Sequence, residues 1–235
     1  MAYKVILDAG HGGRESGPAY EGRTEKDDDL NLTLAIGEIL SNNGVEVIYT
    51  RTEDEYITPP HRANMANDSG ADFFVSIHRN VSGVANTRSG VITLVESLHD
   101  PQMELAVNIN EELEKVGFEN LGVIANPDYI VLSKTVMPAV LVEVGFINND
   151  KDNLIFDTKL IEIAQSIADG ILYTLNDTYD GRSTLYRVQV GIFRQLNNAT
   201  DLLDQLHQEG LPAYLVNEEG YYKVQVGAYD LLENA

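Results

Sequence analysis

Three side chains capable of metal or proton chemistry stand at or near the ends of apolar, strand-like runs. His11 follows Tyr3 to Leu7 and is held among Gly10, Gly12 and Gly13. His78 closes Phe73-Phe74-Val75-Ser76-Ile77, and Glu143 lies between Ala139-Val140-Leu141-Val142 and Val144-Gly145-Phe146-Ile147. Imidazoles and carboxylates are donors for a divalent metal, and with no cysteine in the chain no thiolate can compete. A carboxylate in a run as apolar as that around Glu143 is costly unless it is paired or working. Beside a metal it would take the proton of an attacking water and hand it to the leaving nitrogen. With one further acid, these residues are the components of a hydrolytic zinc centre holding one ion per chain.

That further acid is not fixed by spacing. Glu15, Glu21 and Glu25 share one loop and Asp27, Asp28 and Asp29 follow at once; Glu25 is favoured because it lies just before a helix start. Bland readings stand beside each assignment: a turn histidine for His11, a core histidine for His78, a partner for a buried arginine for Glu143. The glycines around His11 lack both the GxGxxG spacing and the Lys-Ser/Thr of a phosphate loop. Arg62, Asn80 and His99 are candidates for substrate contact, although Arg51 and Arg62 also read as structural partners for the many acids. His61 and His207 read as non-ligands.

The elements that must position these residues alternate. Strands are expected at Tyr3 to Leu7, Val45 to Tyr49, Asp72 to Ile77, Gly90 to Val95 and Ala139 to Val144. Helices are expected at Asp28 to Ser41, Arg62 to Asp68, Met103 to Val116 and Thr158 to Leu175. This pattern predicts an α/β fold with a central, mainly parallel twisted sheet flanked by helices, over residues 1–176. Residues 177–184 read as a linker. In residues 185–235, Tyr186-Arg187-Val188-Gln189-Val190-Gly191 recurs as Tyr222-Lys223-Val224-Gln225-Val226-Gly227 around a helix from Ala199 to Gln208, which predicts a small α+β domain of βαβ type. Its second helix is expected to be largely missing. Alternation turns Gln189 and Gln225 away from the valines that flank them, onto a face that could contact sugars beside Tyr186, Phe193, Tyr222 and Tyr229.

The formal charge is -21, from 16 basic and 37 acidic residues in 235, a surface that repels nucleic acid and anionic membranes. No run is long and apolar enough to span a bilayer, and Met1-Ala2-Tyr3-Lys4 leads into a strand without a signal peptide. The expectation is synthesis in the cytoplasm with no obligate protein partner.

At these residues the chain resembles the zinc-dependent N-acetylmuramoyl-L-alanine amidases of the amidase-3 family. The resemblance rests on Asp8-Ala9-Gly10-His11-Gly12-Gly13, Glu25-Lys26-Asp27, Arg51-Thr52, Arg62 with Ala66-Asn67, Ser76-Ile77-His78-Arg79-Asn80 and Met137 to Asn149. It implies zinc held by His11, Glu25 and His78, with Glu143 as the catalytic carboxylate. The implied reaction is hydrolysis of the amide between N-acetylmuramic acid and L-alanine of peptidoglycan, acting on the wall after lysis or release. The family usually has proline where Ala9 stands, and its regulated members carry an occluding helix that is not seen here between His78 and Glu143. Residues 184–235 resemble a SPOR domain, a module that binds peptide-free glycan strands, and look cut short. The combination is similar to sporulation wall hydrolases and prophage lysins. The rival readings are a zinc peptidase cutting within the stem peptide and a wall-binding protein that does not cut.

Overall fold

The computed structural model describes residues 3–179, 186–209, 211, 213–218 and 220–229. Its elements begin with β1 (Lys4–Ala9), the two-residue strands β2 (Ala19–Tyr20) and β3 (Arg23–Thr24), α1 (Glu25–Asn42), β4 (Glu46–Tyr49), α2 (Pro59–Ser69) and β5 (Phe73–Asn80). There follow β6 (Val91–Val95), α3 (Gln102–Val116), β7 (Asn120–Ala125), α4 (Ile130–Ser133), β8 (Ala139–Phe146), α5 (Asp150–Thr158) and α6 (Leu160–Tyr179). The C-terminal region is β9 (Tyr186–Phe193), α7 (Leu196–Gln208), β10 (Ala213–Glu218) and β11 (Tyr221–Tyr229). Among the described residues no helix is long and apolar enough to cross a membrane.

Among the described residues nine strands form one sheet in the order β4-β1-β5-β8-β6-β7-β10-β11-β9. Pairing is parallel from β4 through β1 and β5 to β8, antiparallel between β8 and β6, then parallel from β6 through β7 to β10. The two faces are set by strand alternation. Val5 and Leu7, Phe73, Val75 and Ile77, and Val140, Val142 and Val144 turn to one face, where they pack with residues of α1, α3 and α6. Ile6, Phe74, Ala139 and Leu141 turn to the other, against Ala66 of α2 and Val131 and Leu132 of α4. Continuing the second parity along each strand gives Asp8, then Ser76 and His78, then Glu143. These four polar groups therefore emerge on the face whose covering helices, of 11 and 4 residues, are short, while Arg79, of the other parity, turns to α1 and α5.

Several elements differ from the sequence expectation. Helix α1 begins at Glu25 and not at Asp28, because Glu25, Asp27 and Asp28 fill its first turn, where acids complement the positive end of the helix. Strand β7, broken as a pattern by Gly122 at φ 88°, lies in the middle of the sheet. Helix α6 runs to Tyr179, into the segment read as a linker; residues 180–185 lie outside the described residues, as do residues 230–235, where the second helix is expected to be largely missing.

The C-terminal repeat forms its own small core, in which Ala199 and Leu203 of α7 meet Ala213, Leu215, Val224 and Val226. Its sheet also continues the large one, through Val216 beside Val123 and Asn217 beside Ile124. Gln189 and Gln225 stand directly opposite each other in register. Val190 is the extra residue of a bulge at that point and is 43% exposed; the inward position expected for it is corrected. Phe193 and Tyr222 are corrected in the other sense, since both pack inward against the small core.

Candidate metal centre and cleft

Strand β1 hands His11 to the site through a tight approach. Gly10 N–H donates to Ile77 O (3.0 Å), and a Cβ on Gly10 would lie 2.3 Å from His78 Cε1 and 2.6 Å from Asp29 Oδ2. Only glycine admits the second imidazole there. His11 itself takes φ 56°, uncommon for a residue with a side chain. Two buried arginines hold that turn by its carbonyls: Arg51 donates to Ala9 O and Gly10 O, and Arg62 to Ala9 O and His11 O. Arg62 Nη1 also pairs with Asp8 Oδ1 at 2.6 Å, and Ser76 and Thr50 donate to the same carboxylate. Burial would raise the Asp8 pKa, but Arg62 and the two hydroxyls outweigh it and hold it below the usual carboxylate value.

Glu25, 2% exposed in the first turn of α1, is the centre of the cluster. Its Oε1 lies 3.1 Å from His11 Nε2 and 2.9 Å from His78 Nδ1, and accepts the Arg79 N–H at 3.0 Å. Burial pushes the Glu25 carboxyl up, yet hydrogen bonds to His11 and His78 prevail and bring it down to about 2. The far nitrogen of His11, Nδ1, meets Glu15 Oε2 at 2.5 Å. Burial lowers the His11 pKa, and Glu25 and Glu15 together raise it above its ordinary value. Arg79, fully buried, ties α1 to α5 by donating to Asp28 Oδ2 (2.5 Å) and Asn153 Oδ1 (2.8 Å), with its guanidinium 4.1 Å over Phe156.

Glu143 is the register partner of His78 across β5 and β8. Its Oε2 is buried without a hydrogen-bond partner, and burial raises its pKa to about 7. Asp29, 1% exposed, also has both carboxylate oxygens buried and unpartnered, with Oδ2 3.9 Å from His78 Nδ1. Burial, then Glu25 and Glu143, raise its pKa well above the usual value.

The donor set fits a divalent metal. One atom each from His11, Glu25, Asp29 and His78 lies within 4.8 Å of all the others. Tetrahedral zinc with bonds of about 2.0–2.1 Å sets its donors about 3.3 Å apart, near the separations of Glu25 Oε1 from the two imidazoles. His11 would bind through Nε2 with Glu15 fixing the other nitrogen, the usual arrangement of a metal-binding histidine. A cleft of about 450 Å³ opens beside the cluster, walled by His11, His78, Tyr56, Ile57, Tyr129, Ile130 and Leu141.

The structure thus brings His11, Glu25, His78 and Glu143 together. It does not do so for the three substrate-contact candidates. Arg62 reaches the cleft wall, but each of its guanidinium nitrogens donates to the protein, Nε to Ile57 O included; it supports the turn. His99 is at the opposite end of the sheet, because β6 runs against β8 with Ile92 beside Glu143 and Val95 beside Val140, and His99 follows Val95. Asn80 accepts the Val81 N–H and Ile147 N–H at the end of β5. Among the C-terminal candidates Gln189 is exposed, while Gln225 is half-buried. Sequence reasoning missed Asp29, Glu15 as the partner of His11, and the carbonyl-holding role of Arg51 and Arg62. Asp29 was visible only as the residue one helical turn beyond Glu25.

Known proteins match along nearly the whole chain. The N-acetylmuramoyl-L-alanine amidase family matches residues 5–173, and the SPOR domain family residues 183–235. The sporulation-specific N-acetylmuramoyl-L-alanine amidase of Bacillus subtilis is 34% identical over 218 residues, covering 91% of this chain and 84% of that one. The endolysin of Bacillus phage SPP1 is 36% identical over 183 residues, or 75% of this chain and 67% of the endolysin. Among solved structures, the N-acetylmuramoyl-L-alanine amidase of Clostridium difficile 630 superposes with a TM-score of 0.71 at 33% identity, covering 74% of this chain and 97% of its own.

Proposed function

Since the chain belongs to the N-acetylmuramoyl-L-alanine amidase family, whose reaction opens the amide between N-acetylmuramic acid and L-alanine in peptidoglycan, we propose that it does so with one zinc ion held by His11, Glu25 and His78, and with Glu143 carrying the proton. The observation that supports this most directly is the convergence of both imidazoles on a single Glu25 oxygen, at 3.1 and 2.9 Å. When bound, zinc supplies Lewis acidity, polarising the amide carbonyl and making water a better nucleophile.

The protein's own residues do the rest. Glu143 takes a proton from the attacking water as its oxygen bonds to the lactyl carbonyl carbon. It returns that proton to the alanine nitrogen as the carbon–nitrogen bond breaks. The products are a free lactyl carboxylate and a stem peptide with a free amino terminus. Burial raises the Glu143 carboxyl above its ordinary range and a bound cation would oppose that rise, so the ionised form that accepts the water proton is available at neutral pH. Glu15 keeps His11 turned to the site, and the Arg51 and Arg62 guanidiniums keep the turn that carries it. The apolar wall of Tyr56, Ile57, Tyr129 and Ile130 holds the substrate and excludes competing water. The SPOR region keeps the enzyme on glycan chains, with exposed Gln189 as the leading contact.

The test is product analysis of purified muropeptides. Peptides beginning with L-alanine should appear beside peptide-free glycan, disappear when a chelator strips the protein, and return with zinc. New termini within the stem peptide would overturn the reaction assigned, and activity indifferent to chelation would overturn the metal.

A further inference from the structure

One acid of the cluster has no task in that scheme. Asp29 follows Glu25 by four residues on α1, so the helix directs both carboxylates to the same side. Other buried acids of the domain are paired. Asp8 has Arg62, Ser76 and Thr50, Asp28 has Arg23 and Arg79, and Asp152 accepts from Ser89, Gly90 and Phe146. Asp29 alone among them has two buried oxygens with no hydrogen-bond partner. One of these, Oδ2, lies 3.9 Å from His78 Nδ1, in space kept open because Gly10 has no Cβ.

We propose that Asp29 is a fourth protein donor to the metal ion, so that the centre consists of two imidazoles and two carboxylates. This rests on the metal reading above and extends it. Charge supports it: with neutral imidazoles, ionised Glu25 and Asp29 together balance a divalent cation. A site whose two acids are 2% and 1% exposed favours a neutral assembly over one with a net charge. Without a cation Asp29 is buried beside Glu25 with no hydrogen bond of its own, so its placement serves ion binding and opposes metal-free stability. Zinc accepts a fifth ligand, so a fourth protein donor still leaves a place for substrate. The added oxygen also makes the site more tolerant of harder ions such as manganese.

The experiment uses the full chain, with Asp29→Asn, which keeps the shape but loses the charge, and Asp29→Ala. Zinc dissociation constants are measured by competition with a chromophoric chelator. Thermal melting is followed with and without zinc, and the visible spectrum is recorded after cobalt loading. Both variants should bind zinc at least about tenfold more weakly, the scale on which metal-site partners act. Metal-free Asp29→Asn should melt above the metal-free parent, yet gain less from zinc. Its cobalt bands should change in intensity, as expected for a lower coordination number. Zinc affinity within twofold of the parent in both variants, with an unchanged cobalt spectrum, would overturn the proposal while leaving the three-ligand site standing. A parent protein that binds no zinc would overturn both.

Discussion

His78 and Glu143 face each other across adjacent parallel strands, as Cα partners in the register of β5 and β8. Both side chains emerge on the same face of the sheet, so the proposed metal ligand and the proposed proton carrier are placed by one pairing, without a flexible loop between them. Glu143→Gln should therefore keep the fold and the metal and lower turnover by about 10²–10⁴-fold, the usual contribution of a positioned acid–base group. Turnover on soluble muropeptides, with metal content measured on the same samples, checks this; a variant above half the parent rate would reject the assignment.

The same substitution has a pH signature in the metal-free protein. Burial raises Glu143 from 4.5 to about 7, so between those values the native state holds a proton that the unfolded chain has released. Stability then falls as pH rises through that window. Glu143→Gln removes this loss. Denaturant unfolding in the presence of a chelator should show the variant gaining on the parent from about pH 5 to pH 7 and levelling off above. A difference that does not vary with pH would mean that Glu143 ionises as it does in the unfolded chain.

Arg62 carries a stability prediction in place of a substrate-binding one. Its side chain is 4% exposed and its partner Asp8 1%, so Arg62→Ala leaves a buried carboxylate without its cation, at a cost of about 3–5 kcal/mol. Because Asp8 has a lowered pKa, the stability it contributes is present above pH 3.8 and is lost as pH falls through its lower folded value. Arg62→Ala should thus flatten the acid limb of the stability profile. Unchanged melting with a raised KM would restore Arg62 to the substrate.

Glu15 makes a narrower case. Its side chain meets the far nitrogen of His11 at 2.5 Å and accepts the Gly17 N–H at 3.2 Å, and it is a surface residue, so Glu15→Gln, which keeps the shape, should leave melting of the metal-free protein unchanged. Zinc affinity should drop by about 10–100-fold, the typical effect of losing the partner that orients a metal-binding histidine. Chelator competition measures it, and an unaltered affinity would show that the turn alone orients His11.

These residues also show what the sequence could and could not reveal. His78 and Glu143 were legible because each ends or interrupts an apolar run in which alternation assigns its face, and His11 because it stands among glycines just past such a run. Asp29 and Glu15 were not, because one acid among many carries no mark of burial, as for Asp29, or of a histidine partner, as for Glu15. The contacts of Arg51 and Arg62 with residues 9–11 span more than 40 positions and leave no local pattern. His99 was misplaced because its strand's direction is invisible in sequence: β6 enters the sheet antiparallel to β8 and carries the following residues away from the site. The C-terminal repeat was legible through its two matching strands, but not its bulge, which turns Val190 outward.

The last prediction concerns the seam between the two regions. Strand β10 adds to β7, and Tyr214 and Val216, 6% and 1% exposed, belong to the same core as Val123, Leu113 and Ile167. Removing residues 180–235 keeps all of α6 but uncovers the β7 edge and the apolar surface those two side chains cover. Burying one such side chain is worth about 1.5–3 kcal/mol, so the shortened protein should melt at a lower temperature. An uncovered central-type strand is also a template for pairing between chains, so the shortened protein should self-associate more than the full chain. Its turnover on small soluble muropeptides, per folded molecule, should match the parent, because β6 separates β7 from Glu143 on β8. Activity on intact sacculi should fall. Melting, size-exclusion chromatography and turnover on both substrates decide the matter. A monomer with unchanged melting would show that the β7–β10 pairing contributes nothing to the catalytic fold, and a shortened chain that does not fold at all would show that the nine strands form one cooperative unit.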